Sequence, residues 1–197
     1  MIIHYCSRTN NNKRTNNNKI EFKRLKEEHL EMVLNWRTQP DVTKYMATDI
    51  EYDMEKQKQW FEKISNDESS RYWIISYKTT PVGLIALVDT NWAHRYTNWA
   101  YYIGEAKYRS ALGGIIPFYL FNHIFNDLKL NKIFANCMVE NKGVIKIFQL
   151  HCFREVGVYK QHYYKNGCYH DVLMMELLAE AWKEKNDKFG KCIGIFE

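Results

Sequence analysis

One stretch, Tyr96 to Asn126, limits what this chain can fold into more than any other. Asn98-Trp-Ala-Tyr-Tyr-Ile103 is short, apolar and aromatic, which predicts a buried strand. Gly104-Glu-Ala-Lys-Tyr-Arg-Ser-Ala-Leu-Gly-Gly114 interrupts it, and Ile115–Phe125 resumes at helical spacing, apolar on nearly every face. Pro117 falls in the first turn of that helix, where a missing N–H costs little. A helix starting at Leu112–Ile115 would aim free N–H groups and a positive dipole end back at the turn, and Lys107 and Arg109 add full charges. The expectation is a strand, a phosphate-cradling turn and a helix.

The rest of the chain supplies a frame for that unit. Ile20–Leu25 alternates as a first strand, and Lys26–Arg37 reads as a helix stopped by Pro40. Thr43–Asp49 reads as a loop and Tyr52–Ile64 as a second amphipathic helix. Arg71–Tyr77 and Val82–Thr90 form a hairpin around Lys78-Thr-Thr-Pro81. Past the central helix come a strand (Lys132–Val139) and a helix (Lys142–Leu150). A closing hairpin, Arg154–Tyr164 with Tyr169–Leu178, turns at Asn166-Gly167. This order predicts one α/β domain: a twisted, mixed, mostly antiparallel sheet of about seven strands with helices on both faces. Its bounds are 20–178, after a leader at 1–19 and before a helix and tail at 179–197.

Charge narrows the partners. The net charge is +5, and residues 1–19 carry Arg8, Lys13, Arg14 and Lys19 without an acid, so the body carries only +1 (5 − 4). A nucleic-acid-binding face on the body is not indicated, and the Asn- and Lys-rich leader reads as disordered. No apolar run approaches the ~20 residues that span a membrane. The opening Met1-Ile-Ile-His-Tyr-Cys6 is too short for a secretory signal. Five scattered cysteines without a CxxC pair read as reduced thiols, and seven unclustered histidines give no metal site. A cytoplasmic protein without membrane or metal is expected, with a homodimer left open.

Several motifs carry a resemblance. Asn35-Trp-Arg-Thr-Gln-Pro40 followed by Lys44-Tyr-Met46 resembles the WRN-x-P…YM opening of the ribosomal-protein and aminosugar branch of the GNAT superfamily of N-acetyltransferases. Asn141 through Phe153 resembles that superfamily's Asn-led helix ending in Gly-Phe. Tyr164-Lys-Asn-Gly-Cys-Tyr-His-Asp171 resembles the branch's Y-x-(D/N)-G-x-(Y/F)-x-D hairpin. Residues 20–178 are covered. Within the branch, the chain is most similar to enzymes that N-acetylate UDP-linked 4-amino-4,6-dideoxy sugars.

The resemblance implies acetyl-CoA as co-substrate, seated where the fourth and fifth strands splay. It puts Tyr101, Tyr102 and Ile103 along the pantetheine arm. Arg109, Ser110, Ala111, Leu112, Gly113 and Gly114 would lie under the pyrophosphate, and Asn141 and Phe148 on the Asn-led helix. Two departures stand out. The cradle has one residue too many before its first glycine, which either bulges harmlessly or misplaces an amide. The helix carries Phe148 where relatives carry an acidic Tyr, and Phe has no proton to give. Another group or water would then serve as the acid.

Direct aminolysis of a thioester needs a neutral amine, a polarised carbonyl and the two held in line. A backbone N–H near Tyr102 would polarise the carbonyl. Asn136 stands where relatives often place a carboxylate; it orients a water but takes no proton. Asp89 is an alternative base or a strand-end solubiliser. Glu105 is another, or caps the turn. Tyr101 either orients the sugar or packs in the sheet. Arg37, Tyr45, Met46 and Trp60 belong to the helices and loop that roof the acceptor cleft in this superfamily. An Arg with flat aromatics suits a UDP- or dTDP-linked sugar; Met46 and Trp60 also suit a core. The rival readings are acetylation of a protein N-terminus, a CoA-binding protein without turnover, and nucleic-acid binding by the leader.

Overall fold

A computed structural model describes residues 20–189 and 194–197; the leader and residues 190–193 lie outside the described residues. Seven strands form one sheet: β1 (Ile20–Arg24), β2 (Arg71–Tyr77), β3 (Thr80–Asn91), β4 (Tyr96–Ile103), β5 (Lys132–Met138), β6 (Arg154–Lys165) and β7 (Cys168–Leu178). Their spatial order is β1-β2-β3-β4-β5-β7-β6. Among the described strand pairs, β4 with β5 is parallel and the other five are antiparallel, so the sheet is mixed and mostly antiparallel as expected. Both hairpin turns have the left-handed conformations that fit sheet twist: Lys78 and Thr79 at φ 50° and 70°, Asn166 and Gly167 at φ 51° and 79°.

Helices cover both faces. On one lie α1 (Leu30–Arg37), the short α2 (Pro40–Thr43) and α3 (Met54–Ser65). Val33 and Trp36 of α1 pack there with Ile74 and Leu84, and Trp60 and Phe61 of α3 join them. Asp53 starts α3 by accepting from the N–H groups of Glu55 and Lys56. Pro40 does end the first helix, but it also opens α2, the role proline fills at a first helical position.

On the other face lie α4 (Ala106–Leu112), α5 (Ile116–Asn122, running into a π-helical turn at His123–Asp127) and α6 (Lys142–Leu150). The all-round apolar character of Ile115–Phe125 is explained here: Ile116, Leu120, Phe121 and Ile124 are fully buried. A further helix, α7 (Ala179–Phe189), follows β7 and buries Trp182 against Phe121, with ring centroids 5.5 Å apart. The indole N–H of Trp182 donates to Asn122 Oδ1 at 2.9 Å.

The predicted helix start at Leu112–Ile115 is corrected. Ala106–Leu112 is already helical, because Ala-Lys-Tyr-Arg-Ser-Ala-Leu is rich in good helix formers and lacks a breaker. Gly113 and Gly114 form a bend between two helices, not a loop ahead of one. The Tyr101 hydroxyl donates to the Gly113 carbonyl at 2.8 Å, and His151 Nε2 donates to the Gly114 carbonyl at 3.1 Å. His151 is fully buried among Phe118, Phe121 and Trp182. Burial, helped by Lys185, pushes its pKa down to about 3, so the ring is neutral. A carbonyl only accepts, which places the ring proton on Nε2.

Candidate active site

The site is set by where two parallel strands stop pairing. β4 and β5 are in register only over Tyr96–Asn98 against Lys132–Phe134. Beyond that point β4 stays paired with β3 up to Ile103, and β5 stays paired with β7 up to Met138. The two strands therefore diverge, and a cleft of about 590 Å³ opens between them. Ala100–Ile103 line one wall and Ala135–Met138 the other. Asn141, Gly143, Val144 and Phe148 of α6 close the inner end. Val42, Tyr45, Met46 and Ala47 roof it. Backbone groups on a diverged strand edge need partners from elsewhere. Trp99 Nε1 is also buried without a hydrogen-bond partner, and Trp99 lines the cleft. An amide-bearing chain inserted between the strands fits these unmet donors and acceptors.

The expected site residues sort into two groups. Tyr101, Tyr102, Ile103, Arg109, Gly113, Asn136, Asn141 and Phe148 come together on this cleft, with Tyr45 and Met46 in its roof. Asn141 caps α6, accepting from the Val144 N–H at 3.2 Å. Phe148 is 4% exposed and packs 5.3 Å from the Phe153 ring. Tyr101 stacks on Trp99 at 5.1 Å, and its hydroxyl is held by Gly113. It packs in the sheet and does not present an oxygen to an acceptor, so the catalytic assignment is withdrawn.

The second group lies elsewhere. Ser110 and Ala111 face solvent on α4, Leu112 is buried beneath it, and Gly114 sits past the bend; none lines the cleft. The cradle formed by amides after Arg109 is corrected accordingly: those N–H groups lie within α4, and Gly113 N–H donates to the Arg109 carbonyl at 2.9 Å. Arg109 itself is tied down. Its Nε donates to the Ile103 carbonyl at 2.9 Å, and its Nη atoms reach the Gly104 carbonyl, Gln39 and Asp41. It fastens the end of β4 to the start of α2.

Asp89 is excluded because β3 runs antiparallel to β4. Its end lies beside the start of β4, away from the split, where Asp89 is exposed at φ 53° in an irregular register. Trp60 is half-buried against the core under α1 and α3, its ring edge-on to Tyr72 at 5.3 Å. Glu105 does not cap α4 with its side chain; its carboxylate accepts from the Trp36 indole at 3.1 Å. Arg37 does not line the cleft. Nη1 donates to Thr43 Oγ1 at 2.9 Å, and Nη2 donates to the Thr48 carbonyl at 2.7 Å. Burial lowers its pKa, with Tyr102 and Asp49 acting the other way. Arg37 thus ties the roof together from the helix side.

Three residues escaped the sequence reading. Lys165, buried at the base of the β6–β7 turn, donates to the Thr43 carbonyl at 2.8 Å and the Met46 carbonyl at 2.9 Å, and pairs with Asp49 at 2.7 Å. The bond from Lys165, and after it one donated by the Thr43 hydroxyl at 2.8 Å, hold the exposed Asp49 carboxyl below its usual pKa. Cys137 and Tyr163 line the cleft from β5 and β6. Burial pushes the Cys137 thiol up to about 11, with Lys142 pulling the other way. A lysine just before an Asn-Gly turn, inside a motif already singled out, was the available signal for Lys165.

The mixed sheet is thus split between its parallel strands, with a cleft at the split. The acetyltransferase (GNAT) domain pattern matches residues 19–151, and the chain belongs to this family; it is an N-acetyltransferase that uses acetyl-CoA. It is 24% identical over 132 residues to acetyltransferase PseH of Campylobacter jejuni, which covers 67% of this chain and 81% of that one. It is 19% identical over 172 residues to spermidine N(1)-acetyltransferase of Vibrio cholerae, covering 87% and 99% of the two chains. The crystal structure of the Vibrio cholerae spermidine N-acetyltransferase in complex with CoA and spermine superposes with a TM-score of 0.78 at 19% identity, over 84% of this chain and 98% of that one. Among the described residues, no helix is long and apolar enough to cross a membrane.

Proposed function

We propose that this enzyme acetylates the amino group of a nucleotide-linked 4-amino-4,6-dideoxy sugar by direct attack on acetyl-CoA. The observation that carries this reading is the charge of the cleft. Among the described residues lining it, Asp41 is the one carboxylate, and it lies 3.4 Å from Arg109. A polyamine brings several ammonium groups and calls for carboxylates to receive them. Here Tyr45, Met46, Ala47 and Tyr102 offer flat and apolar surface, and Asn136 a neutral amide. That surface suits a deoxy sugar with an aromatic base attached. Asn136 would orient a water near the amine, and the N–H groups on the diverged edge of β4 would polarise the acetyl carbonyl.

Spermidine acetylation is the second reading, supported by the length over which the Vibrio cholerae enzyme matches. A thiol-release assay at fixed acetyl-CoA decides between them. UDP-4-amino-4,6-dideoxy sugar, spermidine and an N-terminal peptide are compared by kcat/KM. The sugar nucleotide is expected to lead by about tenfold or more, the worth of ~1.4 kcal/mol of charge mismatch. Faster turnover of spermidine or of the peptide would overturn the sugar assignment.

A further inference from the structure

When an amine displaces coenzyme A, the new C–N bond forms, the C–S bond breaks and the sulfur must receive a proton. Phe148 lines the cleft from α6 and has none. The other O–H and S–H groups on the cleft belong to Tyr45, Tyr101, Tyr102, Cys137 and Tyr163. The Tyr101 hydroxyl is committed to the Gly113 carbonyl. The Tyr102 oxygen is sealed from solvent on the side of Arg37. Cys137 is 7% exposed and packs in the same apolar cluster as Phe148. Tyr45 is 36% exposed on the roof, with the Lys44 ammonium 5.0 Å over its ring. Tyr163 remains. It is half-buried, and it alone represents β6 and β7 among the described cleft-lining residues.

The backbone shows how it gets there. Tyr159 pairs with Val172, but Tyr163 pairs with His170, so three residues of β6 oppose Asp171 alone. This bulge holds Gln161 at φ 52°. Asp171 pins it, accepting from the Gln161 N–H at 2.9 Å and from Lys160 Nζ at 2.7 Å. Bulges beside active sites bend a strand and re-aim a side chain. The sequence motif ending in Asp171 therefore acquires a purpose: it sets the place of Tyr163.

The geometry points to Tyr163 as the proton donor to the departing thiolate. The phenol proton passes to sulfur, giving the free thiol. The phenolate is reprotonated, through water, by the proton that the amine nitrogen gives up on becoming an amide, so the step balances without an added reagent. Burial, with the nearby Cys137 thiol adding to it, raises the phenol's pKa, so it stays protonated through neutral pH. The inference concerns the sulfur and holds for whichever amine is acetylated.

The test compares wild type, Tyr163→Phe and Tyr45→Phe, using the best acceptor in the panel above. Tyr163→Phe is expected to lower kcat by about 100-fold or more, within the range general acids supply, with the KM for acetyl-CoA unchanged within about twofold. The alkaline fall in kcat should disappear with it, whereas Tyr45→Phe keeps that fall. Replacing Tyr163 by the more acidic 3-fluorotyrosine, which preserves the ring, should move the fall to lower pH. A kcat for Tyr163→Phe within about threefold of wild type, or an alkaline fall that the fluorotyrosine leaves in place, would overturn the proposal. Failure of the sugar assignment would show only as a different preferred acceptor.

Discussion

Lys165→Met should raise the KM for the acetyl acceptor by roughly 10–100-fold while leaving acetyl-CoA affinity within about twofold. The ammonium is 5% exposed and serves three oxygens at once: two carbonyls of the roof and the Asp49 carboxylate. A hydrogen bond to a charged group contributes about 1.5–3 kcal/mol, and a buried carbonyl left alone costs a similar amount. Apart from Lys165, the roof is held by Arg37, which donates to Thr43 and to the Thr48 carbonyl from the helix side. The roof's packing is sparse, since Tyr45, Ala47, Thr48, Asp49 and Ile50 are exposed. Losing Lys165 would therefore unlatch residues 43–49 and leave the sheet intact, and the melting temperature should fall by only a few degrees. Steady-state kinetics in both substrates reads the split. A parallel loss on acetyl-CoA would mean that Lys165 supports the whole cleft and not its roof.

Gly104→Ala should cost about 3 kcal/mol and lower the melting temperature by roughly 6–12 °C. A Cβ at residue 104 would stand 2.2–2.5 Å from three atoms of the Trp36 ring. The ring cannot step aside, because Trp36 is 3% exposed in the core under α1 and its indole N–H is bonded to Glu105. Glycine is required here for close approach; no positive φ is involved. Differential scanning calorimetry checks the figure, and a drop below about 2 °C would show that the seam between α1 and β4 yields easily.

These two residues also show where the sequence was legible. Strand and helix positions followed from alternation and from helical apolar spacing, because burial forces both patterns. The Asn166-Gly167 turn was readable because few residues accept its backbone. The bend at Gly113-Gly114 was misread because a glycine pair signals a turn without saying what precedes it, and Ala106–Leu112 coils on its own propensity. Of the named site residues, those on β4, β5 and α6 reached the cleft, since they lie past the point where the two strands stop pairing. Arg37 and Trp60 did not. A charge on a helix end gives no hint whether it faces a ligand or the loop beside it. Tyr163 and Lys165 were missed for a related reason: the place of Tyr163 is set by a bulge in β6, and the partners of Lys165 lie in a loop far away in sequence.

The central claim is that the divergence of β4 and β5 past Asn98 and Phe134 receives the acetyl-CoA arm. Hydrogen–deuterium exchange with and without saturating coenzyme A tests it most directly. The account predicts slowed exchange at residues 100–103 and 136–138, with residues 96–98, already paired to β5, unchanged. Protection confined to other segments, or none at residues 100–103 despite binding, would contradict it.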